Sequence, residues 1–145
     1  MSRPRVRVLI VDDYRAVAEG LRRLLQMDKD IDVVGVATSG EEALSKAALL
    51  APDVVTMDLR MEGMNGIDTT RRLKQMMPQV RVLALTMYGE DHFSQAITAG
   101  VSGYLLKDCD HREIVRAVHQ VYAGACPITP SLQPLYQRDR ALAPG

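Results

Sequence analysis

Aspartates follow two short hydrophobic runs of this chain, and a lysine follows a third. The aspartates are Asp12, Asp13 and Asp58, and the lysine is Lys107. Three carboxylates in one place repel one another, and one ammonium offsets only part of their charge. A divalent cation would offset the remainder, because hard cations such as Mg²⁺ prefer carboxylate oxygens. These residue types predict metal-assisted phosphoryl chemistry, provided that the three runs end at the same place.

The hydrophobic runs alternate with amphipathic segments five times along the chain. The runs, rich in β-branched residues, are 6–11, 32–37, 53–57, 80–86 and 103–106. Strands that are apolar on both faces and joined by helices indicate a parallel sheet covered on both sides. Right-handed crossovers favour a doubly wound α/β sheet, in which functional groups gather at the carboxyl ends of the strands. The three aspartates, Thr86 and Lys107 all take such positions.

Helix-start signals separate the predicted strands from the helices that follow them. Ser39 with Glu42 and Asp110 with Glu113 have capping-box spacing, and Asn65 is a third predicted cap. The weakest helical pattern runs from about 90 to 99. After Gly124 the alternation stops and prolines recur, so we expect residues 1–124 to form one domain and 125–145 a linker or tail. A short helix near 131–138 has only weak support in the pattern.

The bulk composition excludes several classes of protein. Lys and Arg together number 18, as do Asp and Glu, so the formal net charge is zero and no overall basic field attracts nucleic acid or anionic membranes. No apolar run approaches the roughly 20 residues that span a bilayer, and the basic N-terminus lacks a signal peptide's apolar segment. The two cysteines, Cys109 and Cys126, have no metal-binding spacing. A reducing cytoplasm is the expected location.

Four separated motifs resemble a known family. They are Val11–Asp13, Met57–Met61 with Gly66 following, Ala84–Thr86, and Gly103–Asp108. In order and spacing they resemble the response-regulator receiver domains of two-component signalling, and most closely the NarL/FixJ (LuxR-type) subfamily. The resemblance covers about residues 5–124 and implies a (βα)5 flavodoxin-like fold with strand order 2-1-3-4-5. One departure is Glu62, where the family often has proline.

The resemblance implies a role for each site residue. Asp58 would accept a phosphoryl group from a sensor histidine kinase, and Lys107 would pair first with Asp58 and then with the phosphoryl group. Mg²⁺ would be bound by Asp13, Asp58 and the backbone carbonyl of Arg60, and by Asp12 through a water. Thr86 would donate a hydrogen bond to the phosphoryl group, and rotation of Tyr104 would report the change.

The same resemblance implies the partners. We expect a signalling domain that is not an enzyme, apart from slow loss of its own phosphoryl group. Its surface would change on phosphorylation, with homodimer formation, and would control an output such as transcription. DNA would be bound only through a helix-turn-helix domain that this chain does not contain, and no membrane would be involved.

Three alternatives stay open at this stage. A degenerate receiver could act only as a docking module, without phosphorylation. An aspartyl-nucleophile phosphatase would need a second acid two residues after Asp58, where this chain has Arg60. A flavodoxin-like cofactor-binding module would place a phosphate-binding loop after the first strand, where Asp12 and Asp13 would repel phosphate.

Overall fold

A five-stranded parallel sheet forms the centre of the molecule. The computed structural model describes residues 5–87 and 92–142. Its strands are β1 (Val6–Val11), β2 (Ile31–Ala37), β3 (Val54–Asp58), β4 (Arg81–Thr86) and β5 (Gly103–Leu106). They lie in the order β2-β1-β3-β4-β5 and every pairing is parallel. The predicted fold class, strand order and strand positions are confirmed, with each strand end within one residue of the expected place.

The strands are apolar on both faces because helices cover both. Alternate residues of β1 point to opposite sides, so Val8 and Ile10 join one core and Leu9 and Val11 the other. Helices α1 (Arg15–Gln26) and α5 (His111–Tyr122) cover the first face. Helices α2 (Gly40–Leu50), α3 (Gly66–Met76) and α4 (Phe93–Ala99) cover the second. This two-sided burial explains why the strands lack polar alternation.

The predicted caps begin the helices where expected. Ser39 Oγ accepts from the Glu42 amide at 3.1 Å, and the Glu42 side chain accepts from the backbone of Thr38. Asn65 caps α3 through the Asp68 amide, and Asp110 caps α5 through Arg112 rather than Glu113. The helix predicted over 90–99 begins at Phe93, and its expected first turn falls partly on 88–91, outside the described residues.

The segment after Gly124 packs against the outer edge of β5. The Tyr104 amide donates to Pro127 O at 2.8 Å, Thr129 N donates to Tyr104 O at 3.0 Å, and the Leu106 amide donates to Thr129 Oγ1 at 3.0 Å. Ile128 and Leu132 are buried in the core that also contains Tyr104. A single 3₁₀ turn, Pro130–Leu132, then leads into α6 (Gln133–Leu142). The prolines limit regular pairing here, but two buried apolar side chains still hold the segment against the sheet.

In residues 5–87 and 92–142, no helix combines the length and apolarity that a bilayer crossing would require.

Candidate functional site

Three carboxylates converge where β1 and β3 end, at the point where the strand order reverses. Asp12 and Asp13 follow β1, Asp58 ends β3, and the register pairs Val11 with Met57 directly before them. Carboxylate oxygens of the three residues lie within 4.8 Å of one another. Asp12 and Asp58 are buried and Asp13 is half-buried. The parallel arrangement of the strands therefore concentrates negative charge at one edge of the sheet.

Lys107 is the cation that faces these carboxylates. Its backbone amide donates to Thr86 O at 2.8 Å, which joins the ends of β5 and β4. Its Nζ lies 2.8 Å from Asp12 Oδ2 and 3.6 Å from Asp58 Oδ1. The Lys107–Asp58 pair that the resemblance implied is present, but the ammonium lies closer to Asp12.

The oxygens of the three aspartates have different partners. Asp12 uses both: Oδ1 accepts from the Tyr14 amide at 3.0 Å and Oδ2 accepts from Lys107. Asp58 Oδ1 accepts from the Arg60 amide at 3.3 Å. Asp13 Oδ1 is buried and has no hydrogen-bond partner. A buried carboxylate oxygen without a donor is costly unless a cation supplies the missing contact. These carboxylate oxygens fit a hard divalent cation, which would most stabilise Asp13, whose buried Oδ1 has no hydrogen-bond donor.

Burial raises the pKa of Asp58 from its ordinary value of 3.8 to about 6. Lys107 lowers this pKa, while the charge of Asp12 raises it again. Burial has the largest effect because the side chain is only 8% exposed at the end of a central strand. Asp58 is therefore more basic than an ordinary aspartate, but still mostly ionised above neutral pH.

Thr86 and Tyr104 lie on the neighbouring strands β4 and β5. Thr86 ends β4 and is fully buried. Tyr104 is also fully buried, and its ring meets Phe93 edge to face, with centroids 5.0 Å apart. The sequence did not predict Phe93 as a partner, nor the covering residues 127–129, because their contacts are made across the fold.

Gly66 packs directly against the end of β3, where Asp58 lies. A Cβ at this position would collide with the backbone carbonyl of Asp58 and lie 2.7 Å from Leu59 Cα. Gly20, inside α1, is the opposite case, since a Cβ there would meet nothing within 4 Å. Only the tertiary structure distinguishes these two helical glycines.

We expect Gly66→Ala to lower the free energy of unfolding by about 1–3 kcal/mol, because the backbone of α3 or β3 must move. Gly20→Ala should instead raise it by up to about 1 kcal/mol, since alanine is the better helix former. Urea unfolding of both variants checks this. Changes of the same sign would contradict the packing described for Gly66.

Known proteins resemble this chain in both sequence and fold. The sequence model described as "Response regulator receiver domain" matches residues 8–119. The chain belongs to the response-regulator receiver family. The receiver is 42% identical over 128 residues to "Response regulator GacA" of Pseudomonas viridiflava, covering 88% of this chain and 60% of that protein. It is 41% identical to "Transcriptional regulatory protein LnrK" of Bacillus subtilis (strain 168), again over 88% of this chain and 58% of that protein.

Solved structures agree with this assignment. A two-component response regulator of the LuxR family from Aurantimonas sp. SI85-9A1 superposes with a TM-score of 0.87 at 34% identity, covering 94% of the receiver and 99% of that chain. The signal receiver domain of the putative response regulator NarL from Mycobacterium tuberculosis gives 0.79 at 35% identity, covering 84% and 99%. The predicted family and NarL/FixJ-like character are confirmed. The receiver spans about 60% of the length of the curated relatives that it matches.

Proposed function

We propose that this receiver accepts a phosphoryl group on Asp58 from a sensor histidine kinase, in a Mg²⁺-dependent reaction that changes its surface and controls an output. The observation that carries the proposal is the convergence of Asp12, Asp13 and Asp58 around Lys107, with a buried Asp13 oxygen that has no donor. A purely structural cluster of carboxylates would be expected to satisfy that oxygen within the protein.

The proposed transfer forms an oxygen–phosphorus bond at Asp58 as the nitrogen–phosphorus bond of a phosphohistidine breaks. A carboxylate is a weak nucleophile, so positioning and charge neutralisation must supply most of the rate. The raised pKa of Asp58, about 6, makes its carboxylate a better electron donor while leaving it ionised in most molecules above neutral pH. Lys107 would leave its position between Asp12 and Asp58 to contact the transferred phosphoryl group. The Thr86 hydroxyl would also contact this group.

Bound Mg²⁺ would neutralise the charge that spreads over the phosphoryl oxygens. Asp13 and Asp58 are the proposed direct ligands, together with the backbone carbonyl of Arg60. Asp12 is proposed to act through a water, in agreement with the protein donors that already occupy both its oxygens.

Replacing Asp13 by alanine should weaken Mg²⁺ binding by at least about tenfold, since affinity follows the number of charged ligands. Glu62→Ala is the matched control, because Glu62 is an exposed carboxylate that lines the same surface cleft as Asp13 and Asp58. Calorimetric Mg²⁺ titration at constant ionic strength measures both. Equal losses would refute the proposed ligand set.

The cleft above Asp58 supports access by a large donor. It has a volume of about 640 Å³, and Tyr14, Val17 and Met87 contribute large exposed side chains to its wall. Exposed apolar groups around a charged centre are typical of protein contact sites. We propose that the kinase docks here with its phosphohistidine directed at Asp58.

The proposed readout runs from Thr86 to Tyr104. Movement of the Thr86 hydroxyl towards a phosphoryl group would vacate space near β5, and the Tyr104 ring could then change its packing against Phe93. Homodimer formation on phosphorylation is proposed from the family resemblance alone. Transcriptional output through a DNA-binding domain in the full-length protein is proposed from relatives named as response and transcriptional regulators. In this proposal residues 125–145 lead to that domain.

The test is incubation with a small acyl phosphate, with Mg²⁺ or with a chelator, followed by intact-mass measurement. We expect one added phosphoryl group in the presence of Mg²⁺ and none with the chelator. A folded protein that stays unmodified by the acyl phosphate and by phosphorylated kinase would overturn the proposal in favour of the docking-only alternative. Repeated turnover of the donor without retention of label would instead favour a phosphatase, although Arg60 takes the place of the acid that such enzymes use.

A further inference from the structure

The end of β5, where Lys107 follows, is held from both sides. On one side the Lys107 amide donates to Thr86 O of β4 at 2.8 Å. On the other side the Leu106 amide points away from the sheet and donates to the Thr129 hydroxyl at 3.0 Å. The Leu106 carbonyl accepts from the Cys109 amide at 3.1 Å and so closes the turn that contains Lys107. The backbone that carries the site's ammonium is therefore fixed in part by a side chain from the segment after α5.

The Thr129 hydroxyl takes the place that a backbone carbonyl would have in a continued strand. Residues 127–129 pair with the edge of β5 like a parallel strand, since the amide and the carbonyl of Tyr104 both bond to their backbone. The next acceptor in such a ladder would be Thr129 O. This carbonyl instead accepts from the Leu132 amide at 2.9 Å, because the 3₁₀ turn begins here. The hydroxyl thus extends the pairing by one bond, to the Leu106 amide.

Helix capping, the usual reason for a threonine before a helix, does not explain Thr129. The residue directly precedes the 3₁₀ turn Pro130–Leu132, and a capping threonine accepts from an amide of the first turn. Among the described residues, Thr129 makes no such cap hydrogen bond, because its hydroxyl bonds to Leu106. The side chain therefore serves β5 and not the helix that follows it.

A glycine at the start of β5 allows the segment to come close. A Cβ on Gly103 would lie 3.0 Å from Pro127 Cγ and 3.1 Å from Pro127 O, which is closer than carbon and oxygen atoms pack at their optimal separation. Directly after this contact, Ile128 is buried in the same core as Tyr104. Both partners are thus suited to the close packing that brings the Thr129 hydroxyl to the end of β5.

We infer that Thr129 is a positioning residue of the acidic site, which acts through Leu106 on Lys107. By accepting the amide at the end of β5, it keeps the Lys107 ammonium 2.8 Å from Asp12 Oδ2 and 3.6 Å from Asp58 Oδ1. The inference rests on the proposed function in one respect, that a displaced ammonium slows phosphoryl transfer. The position of the ammonium itself is measurable without a phosphodonor.

Thr129→Val tests the position of the ammonium, because valine keeps the side-chain shape and removes the acceptor. Without phosphodonor or Mg²⁺, the ¹⁵Nζ chemical shift of Lys107, detected through its ε-methylene protons, reports its ion pairs. We expect this shift to move in Thr129→Val towards that of the exposed Lys29, and the Lys107 amide to exchange about tenfold faster, the worth of one hydrogen bond. Thr129→Ser keeps the hydroxyl and should restore both values. The Lys74 ammonium, which donates to two backbone carbonyls, is the internal reference and should not change.

Labelling with the acyl phosphate and Mg²⁺ measures the effect on the proposed reaction. We expect Thr129→Val to be labelled about three- to tenfold more slowly than the wild type, and Thr129→Ser at the wild-type rate. Ser39→Ala is the matched control, because it also removes a hydroxyl that accepts from a backbone amide, that of Glu42. Ser39 follows β2, at the opposite edge of the sheet from β5, so this variant should be labelled at the wild-type rate.

Three results would overturn the role of Thr129. They are an unchanged Lys107 shift in Thr129→Val, a labelling rate equal to that of the wild type, and equal slowing in Ser39→Ala. In the last case, lost stability alone would explain the slower labelling. A wild type that is not labelled at all would overturn the proposed function, and the Lys107 shift would then decide the role of Thr129 by itself.

Discussion

Asp58→Asn should abolish phosphoryl labelling and at the same time make the protein more stable. Loss of labelling follows because an amide offers no anionic oxygen to form the bond to phosphorus. The gain in stability follows from the environment of Asp58, whose pKa is raised to about 6 mainly by burial. Folding must therefore bury a charge at neutral pH, and asparagine removes that charge while keeping the side-chain shape.

The size of this gain in unfolding free energy depends on pH. A carboxyl group whose pKa is higher in the folded than in the unfolded state stabilises the fold fully below pH 3.8, and this stabilisation is lost as pH rises through about 6. A tenfold change in proton affinity is worth about 1.4 kcal/mol, so the loss amounts to about 3 kcal/mol. Without Mg²⁺, the free energy of unfolding of Asp58→Asn should exceed that of the wild type by about 3 kcal/mol at pH 8. At pH 4 the two proteins should differ little.

Urea unfolding of both proteins from pH 4 to pH 8 measures this difference directly. Glu62→Gln is the control, since it neutralises an exposed carboxylate beside the site and should change neither labelling nor the pH dependence. Saturating Mg²⁺ should narrow this difference in unfolding free energy at pH 8, because the wild type keeps one more anionic ligand than the variant and is stabilised more. A constant difference between Asp58→Asn and the wild type at all pH values would show that the carboxylate is not desolvated as described.

Removing the two apolar side chains that hold residues 126–132 against β5 should cost about 4–6 kcal/mol of unfolding free energy. Ile128 and Leu132 are 6% and 4% exposed, and truncating a buried isoleucine or leucine to alanine costs about 2–5 kcal/mol. We take the lower part of the summed range because the segment packs at an edge and can detach. Such a loss would be a large share of the stability of an ordinary domain.

Hydrogen exchange in Ile128→Ala/Leu132→Ala identifies where the stability is lost. The amides of Tyr104 and Leu106 donate to Pro127 O and Thr129 Oγ1, so both should lose protection. Leu49→Ala makes the same type of change at a side chain that is 81% exposed and should alter stability by less than about 0.5 kcal/mol. Unchanged protection at Tyr104 and Leu106 would contradict the docking of this segment on β5.

Much of the fold was predictable because local and global signals agree in this chain. The five hydrophobic runs are short, β-branched and separated by capped helices, so strand positions followed from periodicity alone. Ser39, Asn65 and Asp110 start helices through contacts within four residues, which the sequence displays directly. The convergence of Asp12, Asp58 and Lys107 followed from one rule, that the carboxyl ends of parallel strands share an edge.

The remaining features depend on contacts between distant parts of the chain. That Lys107 lies closer to Asp12 than to Asp58 is a matter of tenths of an ångström, set by how β5 ends beside β4. The packing of residues 126–132 against Tyr104 could not be predicted from the sequence, because prolines there disfavour regular strands. They do not prevent the buried side chains of Ile128 and Leu132 from packing against the sheet.

The sequence by itself determined where the strands and helices lie along the chain and which acids end the strands, because hydrophobic period and helix capping are local properties. Only the tertiary structure decided which atoms lack partners. Asp13 Oδ1 and Thr56 Oγ1 are both buried without a hydrogen bond, and burial is a property of everything packed around an atom. For the same reason the raised pKa of Asp58 could be recognised only once the helices were in place on the sheet.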